Sequence, residues 1–194
     1  MGHASALMFH ADGTVGLHSR LMAHAIGLPN DDLFAKMLSS QATGSGMLPF
    51  GLGLKPEAFS DLLLRHFPLS GPLFELDSDK WPDEARVAER QDLIDLMVEH
   101  RARLDESEIW MAHIVAAACL GGDHLWQDLG LWNRADLSSL FTENFPALAA
   151  KNVRDMKWKK FLYKQLCQRE GVYVCRSPSC EACADYANCF GTEE

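Results

Sequence analysis

Apolar residues recur along this chain at three- and four-residue intervals, the spacing that lines one side of a helix. Leu33, Phe34, Met37 and Leu38 form such a stripe behind Asn30, a residue suited to a helix N-cap. Pro56 fits the first turn of a helix through Phe59, Leu62, Leu63 and Phe67, which Pro68 ends. A longer helix is expected to start at Pro82 and run past Leu104, with Val87, Leu93, Leu96, Met97 and Leu104 facing inward. Helices near 107–120, 134–145 and 153–169 complete the set. No segment alternates as a half-buried strand would, so the pattern predicts an all-α fold.

Within this pattern one stretch echoes another. MLPFGLGLKPEAFSDLLLRHFP, residues 47–68, resembles HLWQDLGLWNRADLSSLFTENFP, residues 124–146. Leu48, Leu52, Gly53 and Leu54 match Leu125, Leu129, Gly130 and Leu131; after a one-residue insertion Phe59, Leu62, Phe67 and Pro68 match Leu137, Leu140, Phe145 and Pro146. The expectation is two related helical units, about 31–104 and 107–169, in one helical body of residues 1–171 followed by a Cys-rich tail, residues 172–194. Chance likeness between two Leu-rich helices is the competing reading, and two copies are too few for a solenoid.

Composition and charge narrow the function. The 194 residues are 47% hydrophobic, enough for a well-buried core that does not depend on metal. A net charge of -9 excludes bulk nucleic-acid binding, which needs a basic surface to neutralise phosphate. No apolar run approaches the roughly twenty residues of a membrane span. The opening MGHASALMFHADG lacks a basic n-region and is broken by His10 and Asp12, so no signal peptide is read there and a cytoplasmic protein is expected. Phosphate-cradling, HExxH and GxSxG motifs are missing, and no nucleophile has a base beside it in sequence; a non-enzymatic role is expected.

The chemistry concentrates in the tail. Cys175, Cys180, Cys183 and Cys189 are spaced CxxxxCxxCxxxxxC, which can close four thiolates around one metal centre. Thiolates select iron–sulfur clusters, zinc or copper(I) over hard cations. Structural zinc usually joins two separated CxxC knuckles, whereas CxxxxCxxC is a ferredoxin-like spacing, so an iron–sulfur cluster is favoured over a zinc knob or a pair of disulfides. Of the two other cysteines, Cys119 reads as core. Cys167 reads either as a small buried residue or as a further soft ligand.

The segment before the tail is locally basic. Residues 151–170 hold seven Lys and Arg against Asp155 and Glu170. Lys157, Lys160 and Lys164, at i, i+3 and i+7, are expected to share one face, with Trp158, Phe161, Leu162 and Leu166 forming the apolar stripe. That face is either ordinary solvated surface or a site that draws in an oxyanion or an acidic partner.

MKWKKFLYKQLC and CRSPSCEACADYANCFG, with LWQDLGL and the stretch Asn144, Phe145, Pro146, together resemble the NifQ family, most strongly over residues 110–191. The resemblance implies an iron–sulfur cluster, of 4Fe-4S type or as Mo-3Fe-4S, that takes up molybdenum originating as molybdate. It further implies that the metal is passed on for assembly of the nitrogenase iron–molybdenum cofactor, with the NifEN scaffold and NifH as partners. By position Cys175, Cys180, Cys183 and Cys189 would be the cluster ligands. Molybdenum prefers more ligands than one thiolate and three sulfides supply; His124 is the first candidate to add one, His113 the second, with Cys167, Glu181 and Asp185 behind them. An iron–sulfur electron carrier and a zinc or iron–sulfur regulator are the alternatives.

Overall fold

The computed structural model describes residues 4–68, 87–169, 171 and 186–191. Its helices, in chain order, are α1 (Ala4–His24), α2 (Asp31–Ala42), a 3-10 turn (Phe50–Gly53), α3 (Pro56–His66), α4 (Val87–Glu99) and α5 (Ser107–Ala118). There follow α6 (Leu125–Asp128), α7 (Arg134–Asn144), α8 (Pro146–Ala149), α9 (Trp158–Arg169) and α10 (Tyr186–Phe190). No strand occurs among the described residues, which form an all-α fold.

α5 is the axis of the core. It buries Met111, Ala112, Ile114, Val115, Ala116 and Ala118 on nearly every side, the mark of a helix surrounded by others. α3, α4, α6 and the 3-10 turn all pack on it. The approach is close at Gly53, where φ is +76° and a Cβ would lie 2.8 Å from Ala117 Cβ, so only glycine fits both the backbone and the space. α2 presents Leu33, Phe34, Met37 and Leu38 to the same core, as its periodicity predicts, and packs on α1.

Polar groups fix the elements in place. Asn30 does not cap α2 with its side chain. Instead Asn30 Nδ2 donates to Ser107 Oγ (2.9 Å) and to Asn144 Oδ1 (2.8 Å), while Asn144 Nδ2 donates back to Asn30 Oδ1 (2.8 Å). Asp31 takes over the local work: its Oδ2 accepts from the amides of Gly27 and Leu28, and its Oδ1 receives His66 Nδ1 at 2.6 Å. Burial holds the His66 imidazole below its ordinary pKa and outweighs the pull of Asp31 towards protonation. The ring is therefore neutral, packed edge-on against Phe34 and Trp110.

Several boundaries differ from the periodic pattern. α4 ends at Glu99, and Leu104 is 84% exposed where the pattern placed it inward. The reason is Glu108, whose carboxylate accepts from the amides of Arg103, Leu104 and Asp105 and pins that stretch as a loop with Arg103 at φ +64°. Glu108 is thus a buried brace in the first turn of α5. The expected start at Pro82 lies outside the described residues. α9 begins at Trp158 instead of near 153, because Asn152 both donates to Met156 O and accepts from Met156 N (2.9 Å each), holding residues 152–156 as a turn with Asp155 at φ +52°.

The two echoing segments have matching features. Gly53 and Gly130 have φ of +76° and +69°; α3 and α7 are each 11 residues long. They end on Phe67 (φ -136°, ψ 58°) and Phe145 (φ -132°, ψ 55°). The segments also touch: Met47 N donates to Asp128 O (3.0 Å), and Ser40 of α2, ahead of the first segment, donates from Oγ to Gly130 O of the second (2.6 Å).

Candidate metal and oxyanion site

α9 is the platform from which the Cys-rich tail departs. Trp158, Phe161, Leu162 and Leu166 are buried, as the stripe predicts. Trp158 stacks on Phe141 of α7 with ring centroids 3.7 Å apart and planes 4° off parallel. The contact buries both rings between α7 and α9. Lys159 ties the other side of α9 down: its ammonium donates to the carbonyls of Gly121 (3.0 Å) and Asp123 (2.7 Å) and pairs with the buried Asp128 carboxylate.

That clasp carries a prediction. Lys159→Met leaves Asp128, 2% exposed, as a carboxylate without its cation. Breaking a fully buried pair costs roughly 3–5 kcal/mol; because Lys159 keeps 18% of its side chain in water, about 2 kcal/mol is expected here. Chemical denaturation checks it, and adding Asp128→Asn to Lys159→Met should recover part of the loss.

Of the four motif cysteines, Cys175, Cys180 and Cys183 lie outside the described residues, as do Glu181 and Asp185. Cys189 is described, on α10, with a half-buried free thiol. Its carbonyl accepts from Lys157 N at 2.8 Å, and it packs with Phe190 against the edge of the core. Gly191 N closes the turn on Ala187 O at 2.8 Å. A reduced, partly accessible thiol on a backbone anchored by hydrogen bonds fits a sulfur-ligated cluster. Among the described residues no group of three or more His, Cys, Asp and Glu is arranged to hold a metal ion.

The candidate additional ligands fall in different places. His124 heads α6, where its N–H donates to Gln127 Oε1 at 3.2 Å. Lys159 binds the segment on both sides of His124, and Lys157 binds Cys189, so the structure brings that segment and α10 to the same end of α9. His113 lies half-buried on α5, its pKa lowered first by burial and then by Arg90 and Lys55. It is a neutral imidazole, but those two cations oppose a metal ion beside it. Cys167 is half-buried in the last turns of α9, and Cys119 is core, 5% exposed.

The three lysines expected on one face differ in surroundings. Lys157 precedes α9 and is half-buried, Lys160 is exposed, and Lys164 is half-buried. Lys164 lines a cleft of about 480 Å³ with Lys151, Arg154, Asn152, Phe161 and Phe190. No Asp or Glu occurs among the described residues lining it. The basic character of residues 151–170 was legible from sequence, but the convergence of Lys151 and Arg154 with Lys164 was not, since it depends on the 152–156 turn and on α10 closing the far wall.

The NifQ family model matches residues 33–191. The chain is similar to Protein NifQ of Azotobacter vinelandii, 45% identical over 177 residues, covering 81% of this chain and 86% of the relative. It is also similar to the Protein NifQ homolog of Sinorhizobium fredii, 35% identical over 84% of this chain and 70% of the relative, and to Protein NifQ of Klebsiella pneumoniae, 31% identical over 84% and 99%. No solved structure matches the chain. With a family model spanning both the helical body and the cysteine motif, and relatives aligned over most of their length, the chain belongs to the NifQ family.

Proposed function

We propose that this protein handles molybdenum on an iron–sulfur cluster and donates it for assembly of the nitrogenase iron–molybdenum cofactor, in the nitrogen-fixing cell's cytoplasm. The observation that carries the reading is the complete CxxxxCxxCxxxxxC motif, residues 175–189, inside a chain of the NifQ family. Cys175, Cys180, Cys183 and Cys189 would hold the cluster, of 4Fe-4S type or as Mo-3Fe-4S, which supplies the soft sulfide ligands that reduced molybdenum accepts. The chain's own part is to position and to attract. The Lys157 amide fixes Cys189, and His124, on a segment clasped by Lys159 at the same end of α9, is the leading candidate for a further molybdenum ligand.

A donor must meet its acceptor, and half-burial of Cys189 suits a cluster reached from outside. The NifEN scaffold and NifH are the proposed partners, with molybdate as the source of the metal. The role is that of a metal donor rather than a turnover catalyst. Matching glycine φ values and helix ends in residues 47–68 and 124–146 support the companion proposal that the body arose by internal duplication.

Elemental analysis of protein purified without oxygen tests the reading. Iron, acid-labile sulfide and molybdenum are expected together. Iron and sulfide with reversible one-electron chemistry but no molybdenum retention would make it an electron carrier, and zinc alone would make it a structural or regulatory metal protein.

A further inference from the structure

We propose that His66 is a proton-operated latch on the start of α2, closed near neutral pH and released in acid, while an equivalent grip from α7 stays shut.

Two helix ends meet the chain where α2 begins. His66 is the last residue of α3 and Asn144 the last residue of α7, and each is followed by a Phe-Pro pair, Phe67 with Pro68 and Phe145 with Pro146. They hold consecutive residues: His66 Nδ1 meets Asp31 Oδ1 at 2.6 Å, and Asn144 exchanges amide bonds of 2.8 Å with Asn30. The two grips are also linked to each other. Arg65 Nη2 donates to Asp105 Oδ2 (2.7 Å), Ser107 N donates to Asp105 Oδ1 (2.8 Å), and Ser107 Oγ accepts from Asn30 Nδ2 (2.9 Å). His66 and Asn144 thus occupy matching places in the two echoing segments, but only the histidine takes up a proton near physiological pH.

The surroundings of His66 decide what that proton does. A carboxylate can only accept, so Nδ1 carries the hydrogen of the neutral ring and Nε2 is a bare acceptor. The ring is 0% exposed, and Nε2 has no hydrogen-bond partner among the described residues. Phe34, Phe67 and Trp110 enclose it at centroid distances of 4.8, 6.2 and 6.1 Å. A proton on Nε2 would be a buried cationic donor facing no acceptor, a state relieved when the last turn of α3 opens and the ring reaches water.

Charged neighbours do not rescue the closed, protonated state. Burial dominates and keeps the ring neutral; Asp31 of α2 and Asp105 ahead of α5 pull the other way, and Arg65 of α3 opposes a further positive charge. Glu108 of α5 has its carboxylate committed to the amides of Arg103, Leu104 and Asp105. Asp105 is not the source of a response near pH 6: burial raises it, but bonds from Ser107 and Arg65 outweigh this and hold it below the ordinary carboxylate range. Acid therefore works in one direction. An opened histidine takes up a proton at about pH 6.5 and the closed one does not, so closure is fully present above about pH 6.5 and is lost as pH falls below it. Asn144 has nothing to titrate, and the corner opens on the α3 side alone.

Hydrogen exchange of the full chain, read by mass spectrometry at about pH 7.5 and about pH 5 and corrected for the intrinsic effect of pH on amide exchange, tests the latch. Opening of the last turn of α3 should rise by up to about thirtyfold in acid, the ceiling for a group that titrates at about 6.5 only when open, while the last turn of α7 changes less than about twofold. His66→Gln keeps a donor for Asp31 and cannot be protonated, so it should flatten the response at α3 whatever it does to stability at neutral pH. Asp31→Asn keeps His66 but removes the charge that favours its protonation, so its response should be at least as large as that of the wild type. Equal acceleration at both helix ends in the wild type, an unchanged response in His66→Gln, or loss of the response in Asp31→Asn overturns the latch.

Discussion

Replacing any one of Cys175, Cys180, Cys183 or Cys189 with Ala lowers iron content about tenfold or more while helical circular dichroism stays close to wild type. Changes to outer-shell groups alone cost metal sites about 10–100-fold in affinity, and loss of a thiolate ligand should cost at least as much. The second half of the expectation follows from the core. Its buried residues run from Leu17 to Leu166 and centre on α5, and Cys189, the motif cysteine among the described residues, packs against that core without belonging to it. α10 joins the body at the edge, through the Lys157 amide and the packing of Cys189 and Phe190. Parallel loss of the 222 nm signal and iron would show that tail and body fold as one metal-dependent unit.

Leu54→Ala and Leu131→Ala should each destabilise the fold by roughly 2–5 kcal/mol, the range for deleting a buried leucine side chain and leaving a cavity. Both residues are 4% exposed, each directly after a left-handed glycine, Gly53 and Gly130. Urea unfolding should show lower midpoints with an unchanged slope. A cost under about 1 kcal/mol at either site would mean that its surroundings collapse around the gap.

Much of this architecture was readable in the sequence because α2, α3, α5, α7 and α9 each bury a face at helical spacing, and Pro56 and Pro68 flank α3 where proline belongs. α1 was not readable. It is kinked at Gly13 (φ 65°, ψ 176°), and beyond the kink its fully buried residues are Leu17 and Leu21, too few to stand out as a stripe. α6 and α8 span four residues each, shorter than any periodic signal, and exist because their neighbours hold them. Leu104 misled because an apolar residue in register with α4 extends the pattern past Glu99, while Glu108 ends the helix from beyond the window in which periodicity is read. The same division holds for the site. The cysteine spacing is local and legible. The cleft lined by Lys151, Asn152, Arg154, Lys164 and Phe190 is not, because the turn that Asn152 ties is what brings residues 151–154 beside α9.

The reciprocal amide pair of Asn30 and Asn144 joins positions 114 residues apart. Each side chain satisfies the other's donor and acceptor where water does not reach, at 8% and 1% exposure, and Ser107 closes the group. A leucine at one position strands the amide at the other, whereas two apolar residues of matching shape would strand only the Ser107 hydroxyl, which is cheap to re-aim. The two sites therefore form one heritable unit. Neither drifts alone without loss, and a lineage that abandons the pair must cross that loss in a single double step or through an intermediate stabilised elsewhere.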